Sequence, residues 1–257
     1  MSLAGVVLAA GEGRRLRPLT TLRPKALCPV ANAPLLDHAL ARVEPLTGAG
    51  PASVAVNAHH HADQVVAHVG ERAHLAVEQP EALGTAGALG GLRDWLDGRD
   101  VLVTNADAWS DRSVLHGFAD GWDGERCRLL VREVTGRGDF TLEGRSVRYV
   151  GSCLLPWRLV RDLAATPSGL YEVLWRDRLD ALDLVETAAD VVDCGTPADY
   201  LHANLLASGG ASVVAPGAEV HGRIERCVVW PGAVVRADEV LHDVVRAGDA
   251  EHPVTVP

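Results

Sequence analysis

The sequence predicts an α/β fold built on a mixed, mainly parallel sheet flanked by helices, and three observations carry that expectation. Short apolar runs of strand length alternate with helix-length segments through the first half of the chain. From residue 127 onward, strand-like stretches are separated by glycine-containing turns. Beyond residue 210, hydrophobic residues recur at six-residue intervals. A chain of 257 residues with 47% hydrophobic content can bury one sizeable core and carry a small module beside it.

The run 3–9, LAGVVLA, contains no polar residue and reads as a strand covered on both faces. Runs at 53–57, 75–78 and 101–105 read the same way. Between them, 34–46, 61–69, 85–96 and 111–119 have helical length or spacing, which implies strand–helix–strand crossovers and parallel pairing. Ligands of such sheets bind beyond the carboxyl ends of the strands. Segments 127–134 and 141–155 predict an antiparallel or mixed insert. Helices at 156–164, 170–179 and 197–207 and a strand at 189–194 complete the core. Thr196 followed by Pro197 suits a helix cap with proline at the first helical position.

Ser208, Gly209 and Gly210 read as a linker, dividing the chain into 1–208 and 209–257. In the second part Val214 and Val220 share one six-residue register and Val229, Val235 and Leu241 another, interleaved with turns at Pro216 and Pro231. This pattern predicts a short left-handed β-helix-like segment of about two coils, suited to capping or to forming a homo-oligomer.

A net charge of −10 excludes a general nucleic-acid or membrane-surface role, since neither polyanion is attracted by that field. The five cysteines are scattered and form no C-x-x-C pair, which argues for a reducing compartment rather than a disulfide framework or zinc knuckle. The apolar run 3–10 is too short to span a bilayer and lacks a basic flank, so a cytoplasmic location is expected. Of the 24 basic residues only Lys25 is a lysine. A compact ammonium differs from arginine's planar fork, so a position that alone keeps lysine suits a point charge for phosphate. The three consecutive histidines His59, His60 and His61 lack the spacing of a metal site.

The strongest motif is LAAGEGRRLRPLT at 8–20, followed by PK at 24–25. A strand running into a glycine-rich turn exposes backbone N–H groups that can wrap a polyphosphate, and Gly11 and Gly13 leave room for that approach. The dinucleotide fingerprint would need a third glycine where Leu16 stands, and no Walker-type G-x-x-x-x-G-K-[ST] occurs. The string resembles the signature of the nucleotide-sugar pyrophosphorylases, or sugar-1-phosphate nucleotidyltransferases. That resemblance implies a Rossmann-like nucleotide-diphospho-sugar transferase fold, with a nucleoside triphosphate and a sugar 1-phosphate as partners.

It also implies catalytic roles for Arg15, Lys25 and Asp107, with the first two on the reacting phosphates. Asp107 ends the apolar run VLVTNAD at 101–107, where the family carries a Mg²⁺-binding aspartate. Asp193 lies in VVDCGTP at 191–197, which resembles the family's second acidic element and completes the metal pair. Magnesium usually takes only one or two protein carboxylates plus phosphate oxygens. The family has Asn-Gly-Asp where this chain has Asn105-Ala106-Asp107. Nucleotide contacts are expected from Leu8, Ala10, Gly11, Gly13, Gln79, Gly84, Thr85 and Asp107. The segment QPEALGTAG at 79–87 resembles the base-reading loop; its glutamine suits uracil or thymine, and guanine remains an alternative.

Asn57, Trp109, Gly138, Asp139 and Glu172 are the residues expected on the sugar-phosphate side. The body resembles compact N-acetylmuramate-1-phosphate uridylyltransferases, while the tail is similar to that of mannose-1-phosphate guanylyltransferases. The Glu-Lys-Pro element that supplies a second lysine in many relatives is missing. The sequence thus predicts a transferase using UTP or dTTP, with a GTP-dependent mannose-1-phosphate enzyme as the alternative. A catalytically silent nucleotide-sugar-binding subunit is the rival of another class, against which Arg15, Lys25, Asp107 and Asp193 all stand.

Overall fold

A computed structural model describes residues 3–257 and divides them into two compact units. The first unit comprises residues 3–11, 38–106 and 110–191. Its sheet runs in the order Asp183–Glu186, Arg128–Glu133, Arg145–Leu155, Asp100–Asn105, Leu3–Leu8, Val54–Ala58, His74–Val77, with Phe140–Leu142 paired to Arg145–Leu155. Leu3–Leu8 is parallel to both of its neighbours, as is Val54–Ala58 to His74–Val77. Arg145–Leu155 is antiparallel to both of its neighbours, which makes the sheet mixed and mainly parallel, as predicted.

The apolar runs explain the central strands. Residues Ala4, Val6 and Val7, and all of Val54–Ala58, are buried, so no face is left for polar alternation. Leu3–Leu8 is also where the strand order reverses, with Val54–Ala58 on one side and Asp100–Asn105 on the other. The register puts Leu8 beside Asn57 and Asn105 at the carboxyl ends, the position where such sheets hold ligands. Helix Leu35–Thr47, of which residues 38–47 belong to this unit, packs so tightly on Leu3–Leu8 that a Cβ on Gly5 would lie 2.3 Å from Val43.

Four expected helices are shorter than their sequence patterns. The segment 85–96 splits into Gly84–Gly91 and Arg93–Leu96, since Gly90 and Gly91 weaken the helix where Leu92 leaves the helical region. At 111–119 there is one 3-10 turn, Arg112–Leu115; Asp111 caps it by accepting from Ser113 N at 2.8 Å, and it ends where His116 turns extended at ψ 124°, just before Gly117 at φ 73°. At 170–179 a single wide turn, Tyr171–Trp175, replaces the helix, its start pinned by a bond from Leu170 N to Thr85 Oγ1 at 2.8 Å. The 156–164 helix contracts to Trp157–Val160.

The second unit comprises residues 12–37, 107–109 and 192–257. Helix Pro197–Ala207 starts as predicted: the Thr196 hydroxyl accepts from Asp199 N at 3.2 Å, and Pro197 occupies the first turn. After it the chain winds into a three-sided coil. Val213–Val214, Val228–Val229 and Val245–Gly248 stack as one parallel ladder, Glu219–Val220 and Val234–Val235 as a second, Arg223–Glu225 and Val240–His242 as a third. The last strand, Pro253–Val256, folds back antiparallel on Val245–Gly248. Most of the six-residue register becomes the coil's interior, with Val229, Ala233 and Val235 buried and Val220, Ile224 and Leu241 around them, but Val214 is exposed while its neighbour Val213 turns inward. Val213, Val228 and Val245 instead join Leu16, Leu19, Cys28, Tyr200 and Trp230 in the unit's main core. No helix among the described residues is long and apolar enough to cross a membrane.

Candidate active site

In the second unit the charged residues singled out by the sequence come together. Gly13, in the left-handed region at φ 64°, turns the chain so that Arg14–Leu16 can follow as a 3-10 turn. A Cβ there would sit 2.9 Å from Thr20 and 3.0 Å from the Lys25 Cβ, so only glycine admits this approach. Thr20 locks the turn by donating to the Gly13 carbonyl at 3.0 Å. Lys25, whose side chain is only 7% exposed, places Nζ 2.9 Å from Asp107 Oδ2 and 3.0 Å from Asp193 Oδ1.

Arg15 reaches Asp193 at 3.4 Å from a solvent-exposed position. A Cβ on Gly195 would lie 2.8 Å from its guanidinium, so the glycine after Cys194 makes room for it. The two acids are registered by backbone as well, since Cys194 N donates to the Asp107 carbonyl at 3.1 Å. Burial works against the Lys25 ammonium, but contact with two carboxylates outweighs it and holds its pKa above the ordinary lysine value. Burial pushes the thiols of Cys28 and Cys194 up to about 12, leaving them neutral and inert at physiological pH.

The chemistry of this donor set fits a hard divalent cation. Asp107 and Asp193 are both partly open to solvent, and the oxygens they aim at one point now share an ammonium. Among the described residues no cluster of three or more His, Cys, Asp or Glu forms a closed metal cage. Magnesium seldom needs one, because substrate phosphates and water complete its shell.

In the first unit a cleft of about 130 Å³ is lined by Leu8, Thr85, Asn105, Tyr149, Gly169, Leu170, Tyr171, Glu172 and Trp175. The strand Arg145–Leu155 slips register between Tyr149 and Cys153, where Gly151 takes φ 87° and a Cβ would press on the Asn105 side chain at 3.2 Å. Tyr149 then meets Trp175 edge-on at 5.1 Å. The Glu172 carboxylate is drawn over Gly169, whose absent Cβ would lie 2.0 Å from Oε2.

The other expected residues are distributed as follows. Leu8, Thr85 and Glu172 line the cleft; Ala10 is buried and Gly11 and Gln79 are exposed. Gly84, at φ 69°, lets Ser168 approach, a Cβ there lying 2.6 Å from the Ser168 carbonyl. Asn57 is buried with both ends of its amide engaged: Oδ1 accepts from Ala9 N at 2.7 Å and Nδ2 donates to Glu78 Oε1 at 2.7 Å. Gly138 packs on the backbone of Val147, and the Asp139 carboxylate accepts from Tyr149 N at 3.0 Å, which holds the strand that presents Tyr149. Trp109, in the second unit, packs with Val192 against the Tyr200 core.

Sequence reading missed Glu78, Asn105, Tyr149 and Trp175. Glu78 is a buried acid that joins Asn57 to Leu83 N at 2.7 Å through its second oxygen, bridging the glycine-loop entrance and the 79–87 loop. An acid ending an apolar run directly before Gln79 was the available signal.

Residues 4–120 match the family model described as nucleotidyl transferase. Over 147 residues it is 38% identical to N-acetylmuramate alpha-1-phosphate uridylyltransferase from Caulobacter vibrioides, an alignment covering 52% of this chain and 60% of that protein. A longer alignment, 28% identical over 261 residues, joins it to the low-salt glycan biosynthesis nucleotidyltransferase Agl11 of Haloferax volcanii, covering 87% and 72% of the two chains. Among solved structures, mannose-1-phosphate geranyltransferase from Thermus thermophilus superposes with a TM-score of 0.73 at 18% identity, over 100% of this chain and 95% of the other. That likeness is one of fold.

Proposed function

We propose that this chain is a sugar-1-phosphate nucleotidyltransferase, converting a nucleoside triphosphate and a sugar 1-phosphate into a nucleotide sugar and diphosphate. The observation that carries the reading is the Lys25 ammonium held between Asp107 and Asp193, with Arg15 beside them and the Gly13 turn against its stem. A phosphate oxygen of the sugar attacks the α-phosphorus in line. The new O–P bond forms as the bond from the α-phosphorus to its bridging oxygen breaks, and diphosphate leaves with the electron pair.

A phosphate monoester is already anionic near neutral pH, so no general base is required. Lys25 and Arg15 bind and orient the polyphosphate, and the exposed amides of the glycine turn neutralise charge that develops on it. Asp107 and Asp193 would hold Mg²⁺, which supplies charge neutralisation on the phosphate oxygens when bound. Glu172 offers a carboxylate acceptor for sugar hydroxyls in the cleft. UTP is the favoured nucleotide, supported by Gln79 and by the uridylyltransferase relative, whose sugar, N-acetylmuramate 1-phosphate, is the first acceptor to test.

The test is a matrix of nucleoside triphosphates against sugar 1-phosphates, with Mg²⁺, read by diphosphate release. Turnover with UTP and an amino-sugar phosphate is expected. Release of no diphosphate from any pair would sink the reading.

A further inference from the structure

We propose that Trp230, on the C-terminal coil, is a positioning residue for Lys25: together with Tyr200 it fixes both ends of the segment that presents the ammonium. The inference rests on the reading of Lys25 given above and assigns the coil a task inside its own subunit.

Two independent contacts bracket Lys25. On its N-terminal side the Arg23 guanidinium lies over the Trp230 ring at 4.4 Å from the centroid. A cation stacked on a desolvated indole is held more firmly than one on the surface, and Trp230 is 1% exposed. On the C-terminal side Trp230 Nε1 donates to the Tyr200 hydroxyl at 2.9 Å, and that hydroxyl donates in turn to the Pro29 carbonyl. Tyr200 is completely buried, and burial raises its pKa well above the usual phenol value, so the hydroxyl keeps the proton that it donates.

Asn204 extends the same clamp: Oδ1 accepts from Ala31 N at 3.0 Å, and Nδ2 donates to the Tyr200 carbonyl at 3.1 Å. Between these anchors Leu27 N bonds to the Pro24 carbonyl at 2.8 Å and Cys28 N to the Lys25 carbonyl at 3.0 Å. The Lys25 backbone thus stands in a turn with one flank resting on the indole and the other joined to it through the Tyr200 hydroxyl. A hydrogen-bonded chain in a dry core is cooperative, so loss of its first member weakens the last. Packing alone would not need this polarity, since Val213, Val228 and Val245 already fill the surrounding core.

Because Lys25 is the only lysine, an amine-acylating reagent followed by peptide mass analysis reads its accessibility directly, without reference to turnover. The variants are Trp230→Phe, which keeps a ring but lacks the donor, and Tyr200→Phe, which leaves the Pro29 carbonyl only the long contact from Asn204 Nδ2 at 3.5 Å. Each loses a buried contact and is expected to melt below the parent, so acylation is read at a temperature where circular dichroism shows both variants fully folded. The Lys25 acylation rate is expected to rise about tenfold in each, a shift the size of one buried hydrogen bond.

Turnover is expected to fall about tenfold with KM for sugar 1-phosphate unchanged, and the double variant should lose no more than the worse single one, as members of one unit do. Val240→Ser, at an exposed coil position, is the control and should leave the rate as in the parent. Unchanged Lys25 acylation in both ring variants, or losses that multiply in the double variant, would overturn the proposal. A parent without turnover sinks the functional reading instead, and acylation alone then decides whether Trp230 holds the Lys25 segment.

Discussion

The Lys25 ammonium lies 2.9 Å from the Asp107 carboxylate, and with Asp193 on its other side at 3.0 Å it neutralises an acidic pair otherwise set against itself. Removing it should therefore affect more than substrate binding. Lys25→Ala is expected to fold but to lose roughly 10²–10³ in kcat/KM, the scale of a preorganised charge on a transferring phosphoryl group. Lys25→Arg should recover little, because the planar fork is too large for a side chain only 7% exposed. Near-parent turnover of Lys25→Ala would take Lys25 out of the site.

The same contact fixes a pH dependence. The folded-state pKa of Lys25 is raised above its ordinary 10.5, so its contribution to stability is fully present below that value and lost as pH rises through the higher folded value. The difference in urea midpoint between the parent and Lys25→Met should stay constant from about pH 7 to about pH 9.5 and shrink only in stronger alkali. A difference that already shrinks near neutrality would mean the opposite shift.

Asp107 and Asp193 differ in setting. Asp107 follows the buried run Asp100–Asn105 and is half-open, whereas Asp193 is more exposed and also meets Arg15. Each aspartate-to-asparagine change keeps shape and removes charge. Both are expected to raise the Mg²⁺ needed for half-maximal rate by about tenfold or more, as loss of one of two hard oxygen ligands should. The measurement is rate against free Mg²⁺; unchanged half-saturation in both would detach the acids from the metal.

What could be read from the chain was what neighbours in sequence determine. The turn at Gly13, the lone Lys25, the acids closing 101–107 and 191–193, and the Thr196-Pro197 cap are all stated within a dozen residues. Apolar runs likewise dictated the parallel strands, and the valine register dictated the coil. Glu78, Tyr149 and Trp230 act on side chains 21, 26 and 30 residues away, those of Asn57, Trp175 and Tyr200. No local pattern announces such contacts. At 170–179 the wide turn Tyr171–Trp175 stands in place of the expected helix, and its start bonds to Thr85, 85 residues away in the chain.

Glu78 offers a test of how the 79–87 loop is held. Its two oxygens accept from Asn57 Nδ2 and Leu83 N, both at 2.7 Å, so neither oxygen can be exchanged for an amide without facing a donor with a donor. Glu78→Gln should cost about 1–3 kcal/mol of stability, measurable as a lowered urea midpoint. It should also raise KM for the nucleotide more than KM for the sugar phosphate. Equal changes in the two would separate Glu78 from the nucleotide loop.

Helix Gly84–Gly91 sets two glycines against each other. On Gly87 a Cβ would lie 2.2 Å from the Thr166 carbonyl, while on Gly91 the nearest atom is a Leu83 methyl at 3.6 Å. Replacing either by alanine gains roughly 0.5–1 kcal/mol of helix propensity. At Gly91 nothing opposes that gain, and the variant should be more stable by about that amount. At Gly87 the opposing atom is backbone, so the 164–168 segment must move, and an overpacked contact of this kind typically costs about 1–3 kcal/mol. The clash outweighs the propensity, and Gly87→Ala should be the less stable protein. That segment leads directly into Gly169–Glu172 on the cleft wall, so Gly87→Ala should also weaken binding of the sugar phosphate while Gly91→Ala leaves it unchanged. Urea titration of both variants, with KM for each substrate, checks the sign at each position; a stabilised Gly87→Ala would mean that the 164–168 segment is free to retreat.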